Sequence, residues 1–243
     1  MMNSTKRLCL WSGPRNISTA LMYSFAQRPD TQVYDEPLYG YYLKKTAAKD
    51  YHPGAEKVMQ AMECDGNAVV KMMMDKHDHE VVFFKNMCHH LLDLDRAFMQ
   101  QTCNLILTRH PAQVITSFAK EIPSPSLLDI GIQTQAILLN QLLENKADVI
   151  VIDSNELLKA PKEYLAFLCG QIGIPFYNEM LHWEMGPKEF DGNWAPHWYS
   201  NVHRSTGFQP FEEKSLKVPE YLNSLLNEAL PYFEQLQKHI IQL

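Results

Sequence analysis

No stretch of this 243-residue chain approaches the ~18 consecutive apolar residues of a membrane span, so a membrane-spanning role is excluded on that count. Positive charge is not in excess: 22 Lys and Arg face 28 Asp and Glu, for a net charge of −6. That excludes a broadly basic nucleic-acid binder but leaves room for a local basic pocket. Cysteine is sparse and unpatterned. Cys9, Cys64, Cys88, Cys103 and Cys169 are odd in number and never spaced C-x-x-C, which reads as small hydrophobes in a reducing compartment rather than disulfides or zinc ligands. No repeat, low-complexity tract or charged block is visible. Met1–Arg7 leads into an apolar run of about five residues and a Gly-Pro turn, too short for a signal peptide. The expectation is a cytoplasmic protein of one domain over residues 1–243, with oligomeric state left open.

What is present is an alternation. Short, nearly continuous apolar runs at Leu8–Trp11, Gln32–Tyr34, Val81–Phe84, Asn104–Thr108 and Val149–Ile152 read as strands buried on both faces. Between them, Ser18–Gln27, Pro111–Lys120, Ser126–Glu144 and Pro161–Gln171 carry helical periodicity. The alternation predicts an α/β fold in which helices flank a central parallel sheet of about five strands. Phe176–Pro210 has no clear period and reads as a long loop over the sheet. Pro219–Ile241 reads as a closing amphipathic helix.

The first strand runs into Ser12-Gly13-Pro14-Arg15-Asn16-Ile17-Ser18-Thr19 and then a helix. Free N–H groups at a helix start, hydroxyls from Ser18 and Thr19 and the donor fork of Arg15 make an anion site. The Walker A pattern fails here, because its second Gly would be Ser18 and its Lys would be Thr19. The loop therefore fits an anion held without a metal better than Mg-ATP. Ser18 as a mere helix cap and Arg15 as a surface turn residue fit the local sequence equally well. A second anion element follows the fourth strand: Arg109-His110-Pro111 opens a helix that carries Ser117.

These pieces together resemble the sulfotransferases that use 3′-phosphoadenosine 5′-phosphosulfate (PAPS). Arg15-Asn16-Ile17-Ser18-Thr19 looks like that family's loop for the 5′-phosphosulfate, and Arg109-His110-Pro111…Ser117 looks like its R-x-P-x5-S element for the 3′-phosphate. Lys85 ends an earlier strand about two dozen residues before Arg109, as a family lysine does. Glu156-Leu157-Leu158, Pro161 and Gly173-Ile174-Pro175-Phe176 echo later landmarks, so the likeness runs over residues 6–177, with 178–243 as a loop-rich and helical cover. Tyr34-Asp35-Glu36-Pro37-Leu38 looks like the E-P-L segment of carbohydrate-type members. The run Gly13–Met22 looks closest to a poorly defined sulfotransferase-like branch.

The resemblance implies a three-layer, P-loop-NTPase-like fold. It implies PAPS as co-substrate, no metal, and a small-molecule or carbohydrate-like acceptor. No nucleic-acid or membrane partner is expected. Gly13 belongs to the donor loop, and Arg15 and Lys85 would be the cations at the transferring group. Arg204, Thr206 and Gly207 would stand in for the family's absent R-K-G loop. Where cytosolic aryl and alcohol sulfotransferases carry Lys-x-His, this chain has Lys85-Asn86-Met87, so Glu36 is the first choice of base and His89 the second. His77 and His79 flank Asp78, a pattern better read as a solvated loop than a metal site. Trp183, Trp194 and Trp198 fit either an aromatic acceptor pocket or core packing that pins the loop. The competing readings are a P-loop-type kinase or NTPase and a non-catalytic anion- or nucleotide-binding protein.

Overall fold

The computed structural model describes residues 5–120, 122–212 and 217–243; Met1–Ser4, the lead-in to the first strand, lie outside them. The five apolar runs form five strands: β1 (Lys6–Ser12), β2 (Thr31–Asp35), β3 (Val81–Met87), β4 (Cys103–Thr108) and β5 (Val149–Asp153). They make one parallel sheet in the order β2-β3-β1-β4-β5. The helices are α1 (Ser18–Ala26), α2 (Tyr39–Lys45), α3 (Ala55–Ala61), α4 (Gly66–Met74), α5 (Pro111–Phe118), α6 (Leu127–Ile130) and α7 (Ile132–Glu144). They continue with α8 (Ser154–Lys159), α9 (Pro161–Ile172), α10 (Ala195–Trp198), α11 (Ser200–His203) and α12 (Asn223–Gln237).

The pleat sorts side chains into two cores. On β1, Leu8 and Leu10 pack with Leu21, Phe25, Leu165 and Leu168 from α1 and α9. Cys9 and Trp11 face the other way, against Ile115, Leu139, Leu142 and Phe233 from α5, α7 and α12. Helices thus cover both faces in three layers, as an all-parallel sheet requires. Trp11 is fully buried, and its indole N–H donates to Asn104 Oδ1 at 3.1 Å, which satisfies the polar handle inside the core.

The strand order sets the position of the site. The chain leaves β1 toward β2 on one side and leaves β4 toward β5 on the other. The crevice between the carboxyl ends of β1 and β4 is therefore a topological switch point, where ligands of open α/β sheets bind.

Several local expectations are corrected. Ser126–Glu144 is two helices rather than one. Ser126 and Asp129 form a capping box, and Gly131 then breaks the helix at φ 73 because its Cα packs against Gly13. Pro37 lies in a turn after β2, and α2 begins at Tyr39. The segment 39–74 holds three short helices. The closing helix is shorter than 219–241: a 3₁₀ turn Glu220–Leu222 precedes α12, which contains Pro231. Ile240 and Ile241 instead bridge to the edge of β5, with Ile241 N–H donating to Val151 O at 3.0 Å. The aperiodic 176–210 region contains α10 and α11 and a bridge between His182 and Gly207. No helix among the described residues is long and apolar enough to cross a membrane.

Candidate active site

The loop after β1 is built around close approach. A Cβ on Gly13 would sit 2.9 Å from Ile130 O, so only glycine lets the loop pass the α6–α7 junction. Arg15 is left-handed, with φ 57, and turns the chain into α1. Ile17 takes the N-cap position and no side chain caps the helix. The first N–H groups of α1 therefore point into the crevice without a side-chain cap, and the reading of Ser18 as a cap does not hold. Asn16 acts as a strut: its amide donates to Leu107 O at 2.9 Å and its carbonyl accepts from Ser154 Oγ at 3.4 Å.

The second element closes on the first. Pro111 occupies the first turn of α5, and the His110 side chain accepts from Ala112 N–H. Arg109 Nη1 donates to Arg15 O at 3.0 Å, and Arg109 Nε donates to Gln113 Oε1 at 3.0 Å. Arg15 Nε donates to Ser117 Oγ, also at 3.0 Å. Two motifs about a hundred residues apart thus become one basic cradle. Among the described residues, neither guanidinium has a salt-bridge partner.

A buried charge cluster lies beside the cradle. Asp35 and Lys85 are register partners on β2 and β3. Lys85 Nζ donates to Asp35 Oδ1 at 3.0 Å, Glu36 Oε1 at 2.5 Å and the Tyr199 hydroxyl at 2.6 Å. An ammonium has three donors, so all are committed. The cation that the sequence reading places at the transferring group is instead the counter-ion of two carboxylates. Tyr199 in turn donates to Asp35 at 2.9 Å and accepts from Trp194 Nε1 at 3.1 Å, while Gly192 N–H donates to Asp35 Oδ2 at 3.0 Å. Burial works against the Lys85 charge, but Asp35 and Glu36 outweigh it and hold the ammonium well above the usual lysine range. Burial pushes the Glu36 carboxyl above its ordinary value, against the pull of Lys85.

Cradle and cluster open into one cavity of about 1140 Å³. Beyond Glu36 its wall is aromatic. His90 stacks on Tyr39 and Tyr42 with centroids at 5.2 and 4.6 Å, and Tyr39 meets Trp194 edge-on at 4.9 Å. His52 Nδ1 lies 2.7 Å from the Tyr39 hydroxyl. Burial keeps the imidazoles neutral: His89 is pushed down to about 4, and His90 and His52 are also lowered.

The sulfotransferase domain family matches residues 6–240. The chain belongs to this family. Among solved structures, this sulfotransferase-family chain superposes on the sulfotransferase domain from the curacin biosynthetic pathway with TM-score 0.58, 16% identity and coverage of 96% of this chain and 98% of that one. It superposes on a sulfotransferase from Alicyclobacillus acidocaldarius with TM-score 0.56, 12% identity and 98% coverage of both. At those identities the likeness establishes the fold: a five-stranded P-loop-like α/β sulfotransferase architecture. In sequence the chain is 38% identical over 232 residues to branched-chain-amino-acid aminotransferase-like protein 1 of Arabidopsis thaliana. It is 38% identical over 235 residues to protein 2 of the same name. The matches span 95% of this chain but only 41% of either plant protein, so the chain covers less than half the length of these curated relatives.

In this sulfotransferase fold most of the residues singled out from sequence converge. Gly13 through Thr19, Glu36, Lys85, His89, Arg109, Ser117 and Gly207 all line the cavity. Arg204 and Thr206 do not. Arg204 is exposed and donates to Asn201 Oδ1 at 2.9 Å, and Thr206 faces a separate shallow hollow by Pro161 and His182. The His182–Gly207 bridge holds this turn, and Gly207 and Phe208 line both the cavity and the hollow. Of the tryptophans, Trp194 and Trp198 line the cavity, whereas Trp183 is buried against Tyr23 and Phe208. His77 packs edge-on against Tyr34 and Phe84, and His79 is exposed. Sequence reasoning missed Asp35, Tyr39, Tyr42, His52, His197 and Tyr199 as cavity or network residues.

Proposed function

We propose that this domain moves a sulfuryl group from PAPS to an acceptor hydroxyl or amine. The observation that carries this reading is the joining of the two anion motifs, Arg15 Nε on Ser117 and Arg109 on Arg15 O, at the mouth of a cavity that also receives Glu36. Family membership and the solved sulfotransferase folds support it.

In the proposed reaction the bond from sulfur to the bridging phosphate oxygen breaks, and a bond from sulfur to the acceptor forms in line. The acceptor proton goes to Glu36, and adenosine 3′,5′-bisphosphate leaves. Charge grows on the leaving oxygen, which the cradle of Arg15 and the α1 N–H groups would meet; Arg109 and Ser117 would take the 3′-phosphate. Lys85, held by Asp35 and Tyr199, would keep Glu36 ionised and in place. Glu36 suits the role better than His89. Its carboxyl is raised toward working pH, whereas an imidazole pushed down to about 4 is a weak base.

The test is release of adenosine 3′,5′-bisphosphate from PAPS, followed over a panel of hydroxyl and amine acceptors with wild type and Glu36→Gln. Acceptor-dependent release that Glu36→Gln abolishes supports the reading. Transfer from Mg-ATP but not PAPS would put a P-loop kinase in its place. Bisphosphate binding without any transfer would leave a nucleotide-binding protein.

A further inference from the structure

One polar atom beside Glu36 has no partner. His90 is buried, its Nδ1 makes no hydrogen bond, and it lies 3.9 Å from Glu36 Oε2. Glu36 Oε1 is taken by Lys85, so Oε2 is the oxygen left to act. An imidazole nitrogen left unpaired in a buried site is costly unless something fills the gap. A single oxygen about 2.8 Å from each of these two atoms would bridge them at roughly a right angle, accepting from His90 Nδ1–H and donating to Glu36. His89 Nδ1, on the same wall, is also unpaired.

The charge around this gap narrows the ligand. Lys85 stands against two carboxylates, Asp35 and Glu36, so the net negative charge left here would hold an entering amine as its unreactive ammonium, whereas a hydroxyl needs no such proton removed before it binds. The three imidazoles of the wall are neutral and offer no cation to a carboxylate, and Asp129 also faces the cavity. Arg96, the cation on this side, donates to Gln141 on α7. The rings of Tyr39, Tyr42, His52 and Trp194 provide flat apolar surface, which takes the π face of a phenol or the CH face of a sugar. Tyr51 and Leu128 extend this surface outward, each 63% exposed at the cavity rim.

We propose that the acceptor is an uncharged ring compound that reacts through a hydroxyl, its oxygen held between Glu36 Oε2 and His90 Nδ1 and its ring laid on the Tyr39–Tyr42 wall. This rests on the sulfuryl-transfer reading and selects hydroxyl over amine within it. His90 and Tyr42 are then specificity-determining residues.

The experiment first measures adenosine 3′,5′-bisphosphate binding to wild type by calorimetry; failure there sinks the transfer reading itself. With binding in place, kcat/KM from PAPS is compared for benzyl alcohol against benzylamine, phenol against 4-hydroxybenzoate, and methyl glucoside. The alcohol should exceed the amine, and phenol its carboxylated analogue, by at least tenfold; the ratio of phenol to glucoside identifies the ring type. Tyr42→Leu should raise KM for the preferred ring acceptor about tenfold while leaving bisphosphate affinity unchanged. His90→Leu should do the same. His90→Asn, similar in size but with an amide N–H near the Nδ1 position, should recover most of that loss. A role in packing alone would make the Leu and Asn variants alike. Preference for the amine, equal behaviour of the two His90 variants, or no turnover of any ring alcohol despite normal bisphosphate binding would overturn the proposal.

Discussion

Replacing Lys85 with methionine tests the buried cluster most sharply. Methionine keeps most of the side-chain volume, so the loss is electrostatic rather than a cavity. Lys85 is 1% exposed and donates to Asp35, Glu36 and Tyr199. Its removal leaves two buried carboxylates facing each other without a cation. Breaking a buried pair this way typically destabilises by about 3–5 kcal/mol. For a chain of this size that is roughly 6–20 °C in melting temperature. The effect has a pH signature. In wild type the Lys85 pKa is raised, so its stabilisation is full below the unfolded value of 10.5 and is lost only as pH rises through the folded value. Without Lys85, Glu36 keeps a carboxyl raised by burial. The favourable contribution of its protonated form is full below the unfolded value of 4.5 and is lost as pH rises through the folded value. Lys85→Met should therefore be less destabilised at pH 5 than at pH 7.5, in urea unfolding followed by circular dichroism. Adding Glu36→Gln should show a coupling of about 0.5–3 kcal/mol with Lys85→Met. A variant within about 1 kcal/mol of wild type at both pH values would refute the buried-pair argument.

Three further outcomes are expected. Glu36→Gln should lower single-turnover transfer by about 10²–10⁴-fold with bisphosphate affinity nearly unchanged, and His89→Asn should do much less; the reverse ranking would assign the base to the imidazole. In wild type the acid limb of kcat/KM should lie above the ordinary carboxyl value of 4.5, because burial raises Glu36, and activity should fall as pH drops through it; a profile flat down to pH 4.5 would contradict this. Gly13→Ala should both destabilise the fold and weaken bisphosphate binding, since its Cβ would meet backbone at Ile130 O; wild-type calorimetry and melting would show the loop to be more yielding than its packing implies.

The sheet was legible because its strands are buried on both faces, so Leu8–Trp11 or Val81–Phe84 stand out as continuous apolar runs. The carboxyl ends of four of the five strands run one to three residues further, into less apolar positions such as Ser12, Asp35 and Lys85-Asn86, while β4 ends at Thr108 as expected. The meeting of the Arg15 and Arg109 loops was legible for a related reason: both sit just after strands, and local order is enough to place them there. The partnership of Asp35 with Lys85 was not, because it depends on β2 pairing with β3, a register no local pattern reveals. The break at Gly131 answers to Gly13, far away in sequence, so it is invisible in a helical period. Tyr199 was missed for the same reason. Nothing in the aperiodic 176–210 stretch signals that one of its tyrosines reaches the end of β3.

The central claim is that Arg15 and Arg109 hold the two phosphate ends of one nucleotide. Calorimetric titration of adenosine 3′,5′-bisphosphate into wild type, Arg15→Ala and Arg109→Ala, in EDTA and beside Mg-ATP, tests it most directly. Charge-assisted contacts are worth about 1.5–3 kcal/mol, so each variant should bind roughly ten- to a hundredfold more weakly. Wild type should bind the bisphosphate in EDTA and prefer it to Mg-ATP. Unchanged affinity in both folded variants, or tight binding of Mg-ATP with none of the bisphosphate, would contradict the account.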